Sequence, residues 1–246
     1  MLILRYLDYL DVSVAAFLAF AGALVTALLV GITIHEFSHA FTADSLGDPT
    51  PRYRGRLTLN PMAHLDPFGT FLLFAAGFGW GKPVPVNPNL MRGHDPRTAM
   101  AIVAAAGPLS NLVMAGVAGL AIKVGLVDWH TPFVVNKGAV AAWGSADYLG
   151  LYVSSIVIIG IILAIFNLTP LFPLDGFSVA VGILPRDLAD GLERLRSWGP
   201  GLLLIFIFGI PILTGGVINP FWDILRPAVN GLTRLMTGVD TDVFPS

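Results

Sequence analysis

The chain has 246 residues, 55% hydrophobic and only 12% charged, with a formal net charge of −2 and no cysteine. That composition belongs to a polytopic membrane protein, and the small net charge without a long basic cluster argues against nucleic acid as a partner. The lack of thiols excludes disulfides and thiolate ligands, so any metal must be held by His, Asp and Glu.

In chain order, the first uncharged run is Val12–Ile34, long enough to cross a bilayer core of ~30 Å as a helix. It ends directly on His35-Glu36-Phe37-Ser38-His39. On a helix, residues four apart share a face, so both imidazoles can bind one metal while Glu36 lies beside the water. With five His and two Glu among 246 residues, chance placement of this pattern is about one in a thousand. The bland alternative is a helix end whose histidines merely reach the interface. Ionisable groups at membrane depth are costly and usually functional, which favours the metal. Ala21-Gly22-Ala23 faintly resembles a signal-peptidase site. Cleavage there would truncate the span carrying the motif, so residues 1–23 are expected to be retained.

The next uncharged run, Pro67–Gly81, is too short and too rich in terminal Pro and Gly for a comfortable crossing. It is expected to be a short re-entrant, interfacial or β-hairpin element. In Lys82-Pro83-Val84-Pro85-Val86-Asn87-Pro88, a strand would lack donors on one edge at Pro83 and Pro85 and keep them on the other at Val84 and Val86. Substrate could then add on one side only; a proline-rich turn is the competing reading. His64, Asp66, His94 and Asp95 have no helical i, i+4 pairing and read as interfacial hydrogen-bonding residues.

The second span, Thr98–Ile122, is crowded with small residues around Asn111, which predicts close helix approach. The third, Tyr148–Leu174, ends Asn167-Leu-Thr-Pro170-Leu-Phe-Pro173-Leu-Asp175-Gly176. Prolines break the helix just where an isolated carboxylate appears, making Asp175 the natural third ligand; a helix-capping Asp is the alternative. After the fourth run, Ser197–Trp222, the apolar residues Phe221, Ile224, Leu225, Val229, Leu232 and Leu235 recur at helical spacing. They predict a surface-lying amphipathic helix, an oligomer or gate element. Basic residues concentrate in 46–97 and 175–196, whereas 123–147 carries only Lys123 and Lys137. Positive-inside bias puts the first two segments in the cytoplasm, the third and the N-terminus outside, and the metal motif toward the cytoplasmic end of its helix.

Together, His35-Glu36-x-x-His39, Gly107-Pro108-x-x-Asn111 and Asn167-x-x-Pro170-x-x-Pro173-Leu174-Asp175-Gly176, in this order on three spans, resemble the site-2 protease family of intramembrane zinc metalloproteases. The likeness covers roughly residues 12–185. Asn60-Pro61 to Thr70 and Phe78 to Pro88 are similar to its compact branch, and no stretch is long and polar enough for an inserted PDZ or a CBS domain. The resemblance implies zinc bound by His35, His39 and Asp175, with Glu36 as base and hydrolysis of peptide bonds within or beside the membrane. Asn111 and Asn167 are then candidates for holding substrate backbone or the oxyanion, with interhelical hydrogen bonding as the alternative.

The expected fold is an all-α polytopic membrane protein: a compact three-helix core plus a fourth span, as one domain over 1–246 with core 12–185 and a C-terminal part 197–238. The expected function is an intramembrane zinc endopeptidase in regulated proteolysis, acting on a membrane-tethered protein in the cell membrane, with the bilayer and a second copy of the chain as further partners. A zinc transporter or sensor, and a non-cleaving scaffold, are the competing readings.

Overall fold

The computed structural model describes residues 7, 9–76, 79–133, 137–240 and 243. Residues 1–6 and Phe78, on which two of the expectations fall, lie outside the described residues. The helices are α1 Val14–Ser45, α2 Thr50–Tyr53, α3 Pro67–Ala76, α4 Pro96–Lys123, α5 Lys137–Val140, α6 Ser145–Asn167, α7 Asp175–Ile183, α8 Arg186–Arg194, α9 Gly199–Leu204, α10 Ile210–Leu213 and α11 Pro220–Thr237. A π-helical turn, Ile205–Gly209, joins α9 to α10. Helices α1, α4, α6 and the stretch Arg186–Leu213 are long and apolar enough to cross a membrane, so the chain is a mainly helical, multi-pass membrane protein.

Ser13 starts α1 by accepting the Ala16 amide at 3.0 Å. The buried positions Ala16, Phe20, Leu24, Leu28, Gly31, His35, His39 and Ala43 then recur three or four apart along one inward stripe. The two histidines continue this packing face. About 32 Å of helix separates Val14 from His35 at ~1.5 Å per residue, which places the motif near the far boundary of the apolar core. Asp95 and Pro96 start α4, whose buried stripe Ala99, Val103, Gly107, Asn111, Ala115, Gly119 is mostly small. Helix α6 is buried on nearly every side, through Ser154, Ser155, Val157, Ile158, Gly160 and Ile161. It is the central helix, and α1, α4 and α6 each pack on the other two.

The break after Asn167 returns the chain to α4 through α7. Gly182 crosses α4 so tightly that a Cβ there would stand 2.1 Å from Ala101 Cβ. The Arg97 guanidinium donates to the carbonyls of Val181 and Leu184 at the end of α7, satisfying acceptors that the helix leaves open. The position of Asp175 is thereby tied to the first turn of α4.

Two expectations need correction. The β-hairpin is absent among the described residues: Leu65 and Gly81 form one isolated antiparallel bridge, supported by Lys82 N–H donating to His64 O at 2.7 Å. Between them α3 is helical, because Pro67 starts a run of good apolar helix formers and Asp66 accepts the Gly69 amide at 2.8 Å. The bridge brings residues 65 and 81, on either side of this segment, to the same level of the bundle. The second correction concerns α11, which is not surface-lying. Phe221 packs 5.8 Å from Phe166 at the end of α6, Leu225 and Val229 are buried with Ile158 and Ile161, and Lys123 Nζ donates to Leu235 O at 3.0 Å at the far end of α4. The helical periodicity is as expected, and Leu225 and Val229 of its apolar face meet the α4–α6 pair, whereas Ile224 and Leu235 stay exposed.

Because Leu65 and Gly81 are bridged, cysteines replacing the exposed Ser45 and His94 should react with an impermeant thiol reagent from the same membrane face, and one replacing Val124 from the opposite face. Labelling of positions 45 and 94 from opposite faces would contradict the re-entrant segment.

Candidate metal centre and its cavity

His35 and His39, one turn apart on α1, turn their rings edge to face with centroids 4.6 Å apart. Asp175, in the first turn of α7, places Oδ2 3.0 Å from His35 Nε2 and 3.3 Å from His39 Nε2. All three ligand atoms lie within 4.8 Å of one another. Zinc bonds of ~2.0–2.1 Å in tetrahedral geometry separate neighbouring donor atoms by about 3.3 Å, so Asp175 Oδ2 already stands at zinc-ligand spacing from both imidazoles. The donor set, two imidazoles and a carboxylate, is one that zinc accepts and that leaves a position open for chemistry. Asp175 Oδ2 is buried and has no hydrogen-bond partner of its own, as expected of an oxygen whose partner is a cation.

The groups behind the donors fix them. His39 Nδ1 donates to Val103 O of α4 at 2.7 Å, which leaves the Nε2 lone pair facing Asp175. Asn111, fully buried, places Nδ2 3.3 Å from His35 Nδ1, and its Oδ1 has no partner among the described residues. With Oδ1 turned to the ring, one contact satisfies that oxygen, accepts Nδ1–H and frees the His35 Nε2 lone pair. Gly107 makes this approach possible: a Cβ there would lie 2.5 Å from His39 Nε2 and 2.7 Å from His35 Cε1. At Gly176 a Cβ would meet Leu168 O at 2.2 Å, so only glycine lets α7 start this close to the broken end of α6.

The centre opens into a cavity of ≈ 1060 Å³ lined by His35, Glu36, His39, Asn167 and Asp175, by Trp80, Gly81, Pro83, Val84 and Val86, and by parts of α6, α9 and α11. Glu36 lines it without a hydrogen bond or ion pair among the described residues. Asn167 also lines it, with Nδ2 donating to Leu163 O at 2.9 Å, whereas Asn111 does not. Residues 82–87 have no regular secondary structure and are anchored at both ends. Lys82 O accepts from the buried Arg56 at 3.2 Å, and the Asn87 amide donates to the fully buried Asp48 at 2.6 Å. Between the anchors the amides of Val84 and Val86, both cavity residues, have no hydrogen-bond partner among the described residues.

The remaining polar candidates stay away from the centre. His64 Nε2 donates to Thr58 O at 2.8 Å. Asp66 caps α3, His94 is exposed, and His130 pairs with Asp147 at 3.1 Å. Asp95 caps α4, and the Thr98 hydroxyl holds its carboxyl below the ordinary carboxylate range. Sequence reasoning missed the anchors Asp48 and Arg56 and the clamp Arg97, which in a linear reading are ordinary loop or helix-start charges. The aspartate after Gly47 carries no pattern that announces a bond to residue 87.

The chain is 34% identical over 216 residues to a Bacillus subtilis protein named "Putative zinc metalloprotease YwhC", covering 88% of this chain and 91% of that one. It is 29% identical over 202 residues to "Putative zinc metalloprotease Rip2" of Mycolicibacterium smegmatis, covering 77% of this chain and 69% of the relative. The corresponding Mycobacterium tuberculosis protein of strain H37Rv is 29% identical over 220 residues, covering 84% and 76%. No protein-family model matches the chain, and no solved structure matches it. The names agree with the donor set: zinc is the cofactor this group of residues fits.

Gly107→Ala should push a methyl group into both imidazoles and lower the zinc content of the purified protein. Gly116→Ala, on the same helix with nothing within 4 Å of the added Cβ, should keep zinc and gain up to about 1 kcal/mol of helix propensity. Equal zinc content in the two variants would contradict the packing described.

Proposed function

Since the chain belongs to the site-2 protease family of zinc metalloproteases, we propose that it is an intramembrane endopeptidase that hydrolyses peptide bonds of membrane-tethered proteins, as in regulated intramembrane proteolysis. The observation that carries this reading is the convergence of His35, His39 and Asp175 on one point, beside an unpaired Glu36 and a large cavity, in a bundle of membrane-length helices. The basic residues of 46–97 and 175–196 put this centre toward the cytoplasmic side of a cell membrane, and residues 1–246 act as one membrane-embedded domain.

Zinc bound by His35, His39 and Asp175 supplies a Lewis acid for the scissile carbonyl and lowers the pKa of water toward about 7. Glu36 takes the proton of the attacking water and returns it to the leaving amine nitrogen. Its carboxylate is free for this, since no other side chain among the described residues engages it. Asn167, at the broken end of α6, lines the cavity, and the Nδ2 hydrogen not given to Leu163 O supports the developing oxyanion. Asn111 acts behind His35 as a positioning residue, setting the ring's tautomer and orientation without touching substrate.

A transmembrane substrate enters as a helix whose amides and carbonyls are already paired, so it must unwind before its backbone can be attacked. The anchored segment 82–87 offers it new partners. Val84 and Val86 present free amides on one edge, while Pro83 and Pro85 have none to offer on the other. Arg56 and Asp48 hold the segment at its two ends, so its ordering cost is met before substrate arrives.

Glu36→Gln should retain about one zinc per chain while cleavage of a single-span reporter substrate falls by at least ~10²-fold, the scale of lost general-base assistance. Ordinary activity in that variant would overturn the hydrolytic role. Val84→Pro should slow the same cleavage with zinc content unchanged; Val84 suits this test better because Val86 also packs on Ala43 and Val103. Unaltered kinetics would reject the role of residues 82–87 in holding substrate.

A further inference from the structure

The cavity holds one cation that the hydrolytic chemistry does not use. Arg226, on the second turn of α11, is the one Arg or Lys among the residues lining it. Its Nε is buried and has no hydrogen-bond partner among the described residues. The acidic groups that could neutralise it are engaged elsewhere or stand apart. Asp223, one turn earlier, accepts the Asn219 amide at 3.3 Å at the start of α11. Asp175 faces the two histidines, and Glu36 forms no ion pair among the described residues. A guanidinium at membrane depth is costly without a partner, and one that lines a cavity marks a ligand position.

We propose that Arg226 binds an acidic side chain of the peptide substrate and so sets which sequence is cut; this rests on the proteolytic reading above. The neighbours of Arg226 on the same helix, Phe221, Trp222 and Leu225, line the cavity with apolar surface. A carboxylate meeting the guanidinium there lies against apolar walls, where a charge-assisted pair is stronger than in bulk water. The planar fork of the guanidinium matches the two oxygens of Asp or Glu. At ≈ 1060 Å³, the cavity exceeds the ~300–1,000 Å³ of ordinary small-ligand pockets, room for an extended peptide that reaches both the metal centre and α11. Because α11 lies along α4 and α6 rather than on the membrane surface, Arg226 is a fixed part of the cavity wall.

The test uses the full-length zinc-loaded protein in phosphatidylcholine vesicles and a single-span reporter substrate carrying Asp, Asn or Lys in turn at each residue flanking the cleaved bond. The wild type should prefer Asp to Asn by about tenfold at one position, the scale of one charge-assisted hydrogen bond. In Arg226→Gln the Asp/Asn ratio at that position should fall to about one, and Arg226→Glu should prefer Lys there. These are ratios within one preparation, so lower yield of a variant does not affect them, and a wild-type scan without an Asp preference overturns the assignment even if neither variant accumulates. No preference for Asp at any position, or a preference that survives Arg226→Gln, overturns the assignment. So does an effect of Arg226→Gln that is equal on all substrates and confined to vesicles containing phosphatidylglycerol, which would give the cation to a lipid phosphate. Absence of any Glu36-dependent cleavage would instead overturn the proteolytic reading, and this assignment with it.

Discussion

The structure depends on how closely the backbone of α4 can pass the two imidazoles of α1. His35 and His39 share a helix face by spacing alone, but a shared face does not set ring orientation or tautomer. Both are set from α4: the Val103 carbonyl on His39 Nδ1, the Asn111 amide at His35 Nδ1, and Gly107 between them where any Cβ would collide with the rings. The same helix holds the third donor, because Arg97 and Ala101 fix α7 and hence Asp175. One helix thus positions all three donors while contributing none.

This arrangement reconciles a polar centre with an apolar surround. In lipid there is no hydrophobic drive between helices, so close packing of small residues and a few interhelical hydrogen bonds must hold the bundle. The stripes Ala16 to Ala43 on α1 and Ala99 to Gly119 on α4 supply the first. The second kind of contact is concentrated at the metal centre, so the contacts that stabilise the bundle also orient the donors. Irregular backbone at this depth, residues 168–174 and 79–87, borders the water-accessible cavity or is tied to Asp48 and Arg56, as unpaired peptide groups in a membrane require. Removing the buried Asp48 carboxylate would leave the Asn87 and Thr50 amides without their shared acceptor.

Much of this was legible in the sequence. The three long apolar runs and the i, i+4 histidines follow from periodicity and spacing, and Asp175 from the proline-bracketed break that makes its isolation visible. That 67–81 is too short for a comfortable crossing was readable from its fifteen residues, which reach only about 22 Å as a helix; its helical rather than hairpin form was not, since short apolar runs bear either. The amphipathic pattern of α11 identifies a helix and its apolar face but not what that face meets, and here protein takes the place expected of the membrane surface. Asp48, Arg56 and Arg97 act across 26 to 87 residues of sequence, a separation at which local pattern carries no signal. Asn111 was legible as a polar residue on a membrane helix, yet only the fold places it behind His35 rather than in the cavity.

The central claim is that two imidazoles and one carboxylate, with no sulfur, hold a single zinc. Zinc K-edge X-ray absorption on the purified wild-type protein tests it most directly. The account predicts N/O scatterers at about 2.0–2.2 Å, outer-shell scattering from two imidazoles, and loss of one oxygen scatterer or of the metal itself in Asp175→Ala. A spectrum with fewer than two imidazoles, or one unchanged in Asp175→Ala at full zinc occupancy, would contradict it.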